Sequence, residues 1–163
     1  MRWIHHLFLD QLALMRAFPV TALAAIERAV AAQEMRHRGE LRVAIEGGLP
    51  LQALVAGRSA RARAFEHFAR MRVWDTEDNA GVLVYLLLAD RRVEIVADRG
   101  IHARVGDTAW ETICGAMQQE FAAGRFEPGI LMGLAAISDL LATHFPAPPG
   151  GNPNELPDAP VTL

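Results

Sequence analysis

Lysine is missing from this 163-residue chain, and all 16 basic residues are arginines. The absence excludes chemistry that needs a lysine amine, such as Schiff-base and pyridoxal catalysis, phosphate-loop nucleotide binding and the kinase reaction. Cys114 is the only cysteine, so neither an internal disulfide nor a multi-cysteine zinc site can form. Serine occurs only at Ser59 and Ser138, and neither lies in a GxSxG frame. Carboxylates, histidines or a bound metal must therefore carry any catalysis in this chain.

The charge and hydropathy of the chain exclude two further classes of partner. The net charge is −3 at pH 7, whereas a duplex nucleic-acid binder needs a concentrated basic face. The longest uncharged stretches, residues 47–57 and 128–138, fall short of the ~20 residues that a membrane-spanning helix needs. Asp10 and Arg16 interrupt the apolar start, which argues against an export signal. We expect a cytoplasmic protein with no nucleic-acid partner and no membrane span.

Hydrophobic periodicity divides the chain into helices and short strands. Apolar residues at helical spacing predict helices over residues 2–16, 21–38, 59–72, 108–123 and 128–144. Alternation predicts strands over residues 41–46 and 92–97, and the continuous apolar run 82–89 predicts a strand buried on both faces. The expected organisation is an N-terminal helical extension (1–19), a domain (20–146) and a proline-rich extended tail (147–163).

The connections between the strands predict how they pair. Only Asp90 and Arg91 separate the second strand from the third, so those two strands must form an antiparallel hairpin. A helix lies between the first and second strands, which favours parallel pairing through a crossover. The predicted fold is α/β: a three-layer α/β/α sandwich on a small mixed sheet, with an extra N-terminal helix.

This topology brings three separated carboxylates to one edge of the sheet. Glu40 and Asp78 each come just before one of two parallel strands, and Asp98 follows the antiparallel third strand. Converging carboxylates repel one another and stay ionised only with a cation among them. All-oxygen ligation suits a hard ion such as calcium or magnesium better than zinc. We therefore predict a divalent-cation site at Glu40, Asp78 and Asp98, with calcium favoured over magnesium.

Each acid also has an ordinary structural explanation. Taken singly, the three are typical of solvated turn and helix-cap residues. Arg42 or Arg99 could neutralise them as plain ion pairs. Glu34, four residues before Arg38, fits a surface pair on its own helix. Only the convergence of the three acids indicates a metal.

Several segments of the chain resemble the TPM domain family. They are residues 37–41 (HRGEL), 73–76 (VWDT), 93–101 (VEIVADRGI), 144–146 (HFP) and 154–158 (NELPD). The resemblance implies an α/β/α sandwich, an acidic calcium-type site at one sheet edge, and a phosphatase activity attached to some members. At Glu40, Asp78 and Asp98 the implied site coincides with the acids that the topology brings together.

Two hypotheses of function follow. The first is a divalent-cation-binding interaction or assembly module, with a protein partner or a second copy of the chain as its target. The second is a metal-dependent phosphatase in which Asp78 or Asp98 holds the ion and Arg63 or Arg99 steadies the phosphate. The shortage of nucleophiles favours the first.

Overall fold

A computed structural model describes residues 11–163. The helices are α1 (Gln11–Ala17), α2 (Val20–Glu34), α3 (Leu51–Val55), α4 (Ala60–Arg70), α5 (Arg99–Val105), α6 (Asp107–Ala122) and α7 (Phe126–His144). The strands are β1 (Glu40–Glu46), β2 (Gly81–Leu87), β3 (Arg92–Ala97) and β4 (Val161–Thr162). A short 3₁₀ turn covers Leu88–Asp90.

The four strands form one mixed sheet in the order β3-β2-β1-β4. β1 and β2 are parallel, and Glu40 lies opposite Gly81. β2 and β3 are antiparallel, and Val82 lies opposite Ala97. The predicted α/β sandwich and the pairing of its three predicted strands are confirmed.

Helices cover both faces of the sheet, and every residue of β1 and β2 is buried. On one face Leu41 and Val82 pack into the main core with α2, α6 and α7. On the other face Leu83 and Tyr85 pack against α3 and α4 in a smaller core. The alternation of faces along β1 places Glu40, Arg42 and Glu46 on the side of the smaller core.

Helix α7 is long and apolar enough, by length and composition alone, to cross a membrane. Its Ile130, Leu134 and Ile137 are nevertheless fully buried in the main core. At Gly133 a Cβ would overlap the Met117 side chain of α6, so the missing side chain lets the two helices pack closely. The described residues contain no clear membrane span.

The sequence missed the shortest elements and misplaced some helix ends. α3, α5 and β4 are seven residues or shorter, too short to show a period. The chain turns from β2 into β3 through the 3₁₀ turn and Arg91, whose φ of 49° is left-handed. The helix predicted over residues 2–16 lies mostly outside the described residues. The tail (147–163), expected to be extended, supplies β4 to the sheet.

Candidate metal centre at the sheet edge

The three predicted ligands lie along the edge of the sheet that is formed by the strand ends, where β1 and β2 begin and β3 ends, as the strand directions require. Glu40 opens β1 opposite Gly81. The Asp98 N–H donates to the Gly81 carbonyl at 2.8 Å, so Asp98 extends the same row. Two residues separate Asp78 from the start of β2. The strand register therefore accounts for their common edge, and the local contacts of each acid decide what it can bind.

Backbone separates Glu40 from Asp98. Between them in the register lies Gly81, and a Cβ there would overlap the carbonyl oxygen of Val73. The Val73 peptide thus occupies the space above the middle of the row. Within residues 11–163, no three His, Cys, Asp or Glu side chains form a closed set of metal ligands.

Asp78 and Asp98 are each engaged locally. Both Asp78 oxygens contact the Arg38 guanidinium, at 3.1 and 3.2 Å. One Asp98 oxygen accepts the Arg99 N–H at 2.7 Å and caps α5, while its Oδ2 is buried without a partner. These contacts match the ordinary explanations of ion pair and helix cap, although the Asp98 Oδ2 still lacks a hydrogen bond.

His37, close to this edge in sequence, is committed to the core. Its ring is fully buried, with Nδ1 3.0 Å from the Gly39 carbonyl and Nε2 3.2 Å from the Ser138 hydroxyl. Because a carbonyl only accepts, Nδ1 carries the proton and Nε2 accepts from Ser138. Burial lowers the pKa of His37 to about 4, so the ring is neutral at pH 7.

Glu40, like Asp98, has a buried carboxylate oxygen without a hydrogen-bond partner. The residue is fully buried. Its Oε2 accepts the Leu156 N–H at 3.0 Å, and its Oε1 is buried with no hydrogen-bond partner. Burial raises the pKa of Glu40 to about 7, although backbone hydrogen bonds from Glu155 and Leu156 lower it, and the negative charges of Glu155 and Asp158 add to the rise. An unpartnered carboxylate oxygen inside a protein is costly unless something positive or protic meets it.

Glu34 is a second buried acid beside Glu40, and sequence reasoning placed it on the helix surface. Its Oε1 accepts the Leu41 N–H at 2.7 Å, at the end of α2. Burial raises the pKa of Glu34 to about 9, despite that hydrogen bond, and Glu40 and Asp158 contribute. The spacing to Arg38 suggested a surface pair, but Arg38 turns instead to Asp78.

The tail brings a third acid. Arg42 donates to the carbonyls of Pro157 and Ala159 and holds this part of the tail against β1. Asp158 contacts Glu34 and accepts from the Asn154 amide at 2.7 Å. The sequence of segment 154–158 does not predict its place over β1, because that place depends on contacts across more than a hundred residues.

Together these groups line a cavity of about 310 Å³. Its polar side chains are those of Glu34, Glu40, Asn152, Asn154 and Asp158. Every potential ligand atom among the carboxylates and amide carbonyls is oxygen, the donor set of hard cations. The buried Glu40 Oε1 lacks a hydrogen-bond partner, although no three acids of residues 11–163 are already arranged as metal ligands. An ion there would complete its coordination with amide or backbone carbonyls and water.

Comparison with known proteins agrees with this architecture. Residues 17–140 match the TPM domain. The chain belongs to the TPM domain family. The TPM domain here also resembles the BA42 protein of the psychrophilic bacterium Bizionia argentinensis, with a TM-score of 0.78 and 27% identity over 90% of this chain and 95% of that one. The N-terminal domain of a P. gingivalis protein shares the fold, with a TM-score of 0.61 and 19% identity over 77% of each chain. Curated proteins gave no match.

The TPM domain holds another polar cluster at the opposite edge of its sheet. Glu46, at the end of β1, receives two hydrogen bonds from Arg63, at 2.6 and 3.2 Å, and one from the Tyr85 hydroxyl. The His67 ring stacks on Tyr85 and lies 3.5 Å from Glu46. Arg63, a predicted phosphate ligand, is thus bound to a buried carboxylate far from the candidate centre.

Proposed function

We propose that this TPM domain is a divalent-cation-binding module whose site is centred on Glu40, with Glu34 and Asp158 as neighbouring ligands. One observation carries the proposal: the Glu40 Oε1 is buried, has no hydrogen-bond partner, and belongs to a residue that lines a cavity shared with two other carboxylates. The raised pKa values of Glu34 and Glu40 mean that protons occupy these acids in the absence of a cation, and a cation would displace those protons and satisfy that oxygen at once.

The ligand chemistry favours calcium over magnesium. Calcium accepts irregular sets of carboxylate, amide and backbone oxygens, whereas magnesium demands a near-ideal octahedron and keeps several waters. The wall of the cavity combines carboxylates with the amides of Asn152 and Asn154 on an irregular segment. Such a wall adapts to a large ion more readily than to a small one.

The binding of the cation also suggests what the module does. Glu34 and Glu40 belong to the body of the domain, and Asp158 belongs to the tail. An ion between them ties residues 154–158 to β1, next to the point where β4 joins the sheet. The cation thereby holds together a surface that includes both body and tail, as an interaction or assembly module requires.

Thermal unfolding tests the site. The protein is stripped with EDTA and unfolded with and without calcium chloride, and then with magnesium chloride. Calcium at a hundredfold excess over its Kd should add ~2.7 kcal/mol of stability. For a domain of this size that is a rise in Tm of roughly 5 to 10 °C. Magnesium should give a smaller rise.

Four variants locate the ligands. Glu40→Gln and Asp158→Asn keep the shape of each side chain, and we expect both to lose most of the calcium-induced rise. Asp78→Asn and Asp98→Asn, the other predicted ligands, serve as matched controls and should retain it. A calcium response that survives Glu40→Gln and disappears in Asp78→Asn or Asp98→Asn would place the site on the other side of Val73.

A metal-dependent phosphatase is the second candidate, and one observation supports it. The Asp98 Oδ2 is buried without a partner, and the next residue, Arg99, is exposed and bonded to Asn79. An ion on Asp98 and a phosphate on Arg99 would be adjacent. Hydrolysis of p-nitrophenyl phosphate with calcium or magnesium, lost in both Asp98→Asn and Arg99→Ala, would establish this activity. If the rate of hydrolysis does not exceed that in buffer, the phosphatase hypothesis is rejected and the binding module is retained.

A further inference from the structure

A groove of about 680 Å³ runs along β3, at the edge of the sheet remote from the candidate cation site. Strand β3 forms its floor, α4 contributes one wall through Arg61 and Phe65, and α6 contributes the other through Trp110 and Cys114. The opposite edge of the sheet is covered by the chain's own β4, whereas no strand of the described residues pairs with the outer side of β3.

The backbone of β3 offers the groove unused hydrogen-bonding groups. Because the Asp98 N–H points to Gly81 of β2, the alternate residues Val93, Ile95 and Ala97 direct their peptide groups outward. At Ile95 two side chains already bond to the outward backbone groups. Arg61 donates to the Ile95 carbonyl, and the Ile95 backbone also bonds to the Cys114 sulfur. Across residues 11–163 no backbone group bonds to the outward side of Val93 or Ala97.

The two walls differ in chemistry. Along the α4 wall Arg61 and Arg92 share a single acid, Glu94, at 3.7 and 3.0 Å, and the exposed Arg99 adds a further positive charge. Phe65 is half exposed beside Arg61. This side of the groove is therefore basic and aromatic.

The α6 wall carries Asp107 and Glu111 at its start and is apolar near β3, where it has room. Trp110 is almost fully buried, and its indole Nε1–H has no hydrogen-bond partner. Gly115 also lines the groove, and a Cβ added there meets no atom within 4 Å. A side chain from outside can therefore enter between α6 and β3.

We propose that the β3 groove binds an extended polypeptide segment of a partner protein, which adds to β3 as a further strand. Unpaired donors and acceptors at a strand edge are what β-strand addition uses for affinity. The alternation of an incoming strand sends acidic side chains to the arginines of the α4 wall and apolar side chains to Trp110 on the α6 wall. The segment replaces Arg61 at the Ile95 carbonyl and the Cys114 sulfur at the other backbone group of Ile95. The freed Arg61 guanidinium then meets the carboxylates of the segment.

The groove favours such a segment over a second copy of the domain. β3 lies between α4 and α6, so a single extended chain fits between these walls. A second copy presenting its own β3 would bring its own two helices against them. The proposal does not depend on cation binding, because it uses the outer side of β3 and not the cavity at Glu40.

Fluorescence anisotropy with labelled seven-residue peptides tests the proposal. The probe alternates valine and glutamate. One comparison peptide alternates valine and lysine, and another carries proline at the centre of the valine–glutamate sequence. We expect the glutamate peptide to bind at least tenfold more tightly than the lysine peptide, and the proline peptide not to bind measurably, since proline removes a backbone donor. Failure of the wild-type domain to bind the glutamate peptide would overturn the proposal.

Two variants place the peptide in the groove. Gly115→Leu fills the open space and replaces a helix glycine with a strong helix former, so the domain should remain folded while peptide affinity falls at least tenfold. Gln119→Leu adds the same side chain at an exposed position of α6 outside the groove and should bind as wild type. Equal affinity in Gly115→Leu and wild type contradicts the location. Sedimentation that shows a dimer abolished by Gly115→Leu would instead identify a second copy as the occupant.

Discussion

The Glu34 side chain accepts the backbone N–H of Leu41 at 2.7 Å, so the end of α2 is tied to the outer edge of β1. The neighbouring Glu40 faces the tail from the same strand. Helix end, strand and tail therefore meet at one place, although they belong to distant parts of the chain. The side chains that make this junction can be tested individually.

Glu34→Ala should destabilise the domain more than Glu34→Gln. The amide oxygen of glutamine can still accept the Leu41 N–H, whereas alanine leaves that buried donor unpaired at a cost of about 1–3 kcal/mol. Chemical denaturation in EDTA at pH 7 measures both variants. Glu27→Ala, at an exposed position on the same helix, controls for the side-chain change. Equal losses in Glu34→Ala and Glu34→Gln would contradict the role of this hydrogen bond.

Arg42→Met should loosen the tail. The buried Arg42 guanidinium is the donor to the carbonyls of Pro157 and Ala159, and its removal leaves them unsatisfied. We expect faster amide exchange at Leu163, whose N–H bonds to Ile45, and a lower free energy of unfolding by about 1–3 kcal/mol.

The control for Arg42→Met is Arg36→Met, which removes the exposed pair between Arg36 and Asp139. Exposed ion pairs contribute about 0–1 kcal/mol, so its effect should be small. Unchanged exchange at Leu163 in Arg42→Met would show that β4 holds the tail without Arg42.

Acid should weaken the cluster around Glu46. Burial opposes ionisation of Glu46, but contacts with His67, Arg63 and Tyr85 outweigh it and hold its pKa at about 2. A pKa below the ordinary 4.5 stabilises the folded state above pH 4.5, and that contribution is lost as the pH falls towards 2. Glu46→Gln should cost about 3 kcal/mol at pH 7, because it leaves the largely buried Arg63 with only the more exposed Glu66 as a charged partner.

The free energy of unfolding, measured from pH 7 to pH 2 in wild type and Glu46→Gln, checks this prediction. The difference between the two proteins should be constant above pH 4.5 and shrink below it. Glu66→Gln, which alters the more exposed partner of Arg63, is the control and should differ little from wild type. A difference that stays constant down to pH 2 contradicts the role of Glu46 ionisation.

Gly81→Ala should severely destabilise the domain. A Cβ at Gly81 would overlap the Val73 carbonyl oxygen, which is a backbone atom in a buried region. We expect a loss of more than 3 kcal/mol, at the upper end of overpacking costs. Gly115→Ala, in open space on α6, should instead gain about 0.5–1 kcal/mol from helix propensity. Similar unfolding midpoints for the two variants would contradict the close approach at Gly81.

The central elements could be predicted from sequence, and the candidate site only in part. The apolar run of β2 and the short Asp90-Arg91 connection carried enough local information to determine the burial and pairing of these strands. Glu40 was also predicted, since its place follows from strand direction alone. Its neighbours were not, because the position of Asp158 beside Glu34 depends on tail contacts that no local pattern encodes. The Val73 carbonyl over Gly81, which divides the predicted ligand row, is likewise a tertiary contact.

The hydrogen bond from Leu156 to Glu40 spans 116 positions of the chain. Contacts of such sequence separation close large loops and form slowly. The cavity at Glu40 is therefore incomplete until the rest of the sheet has assembled. We therefore expect an ion held there to prolong the lifetime of the folded state more than it speeds folding.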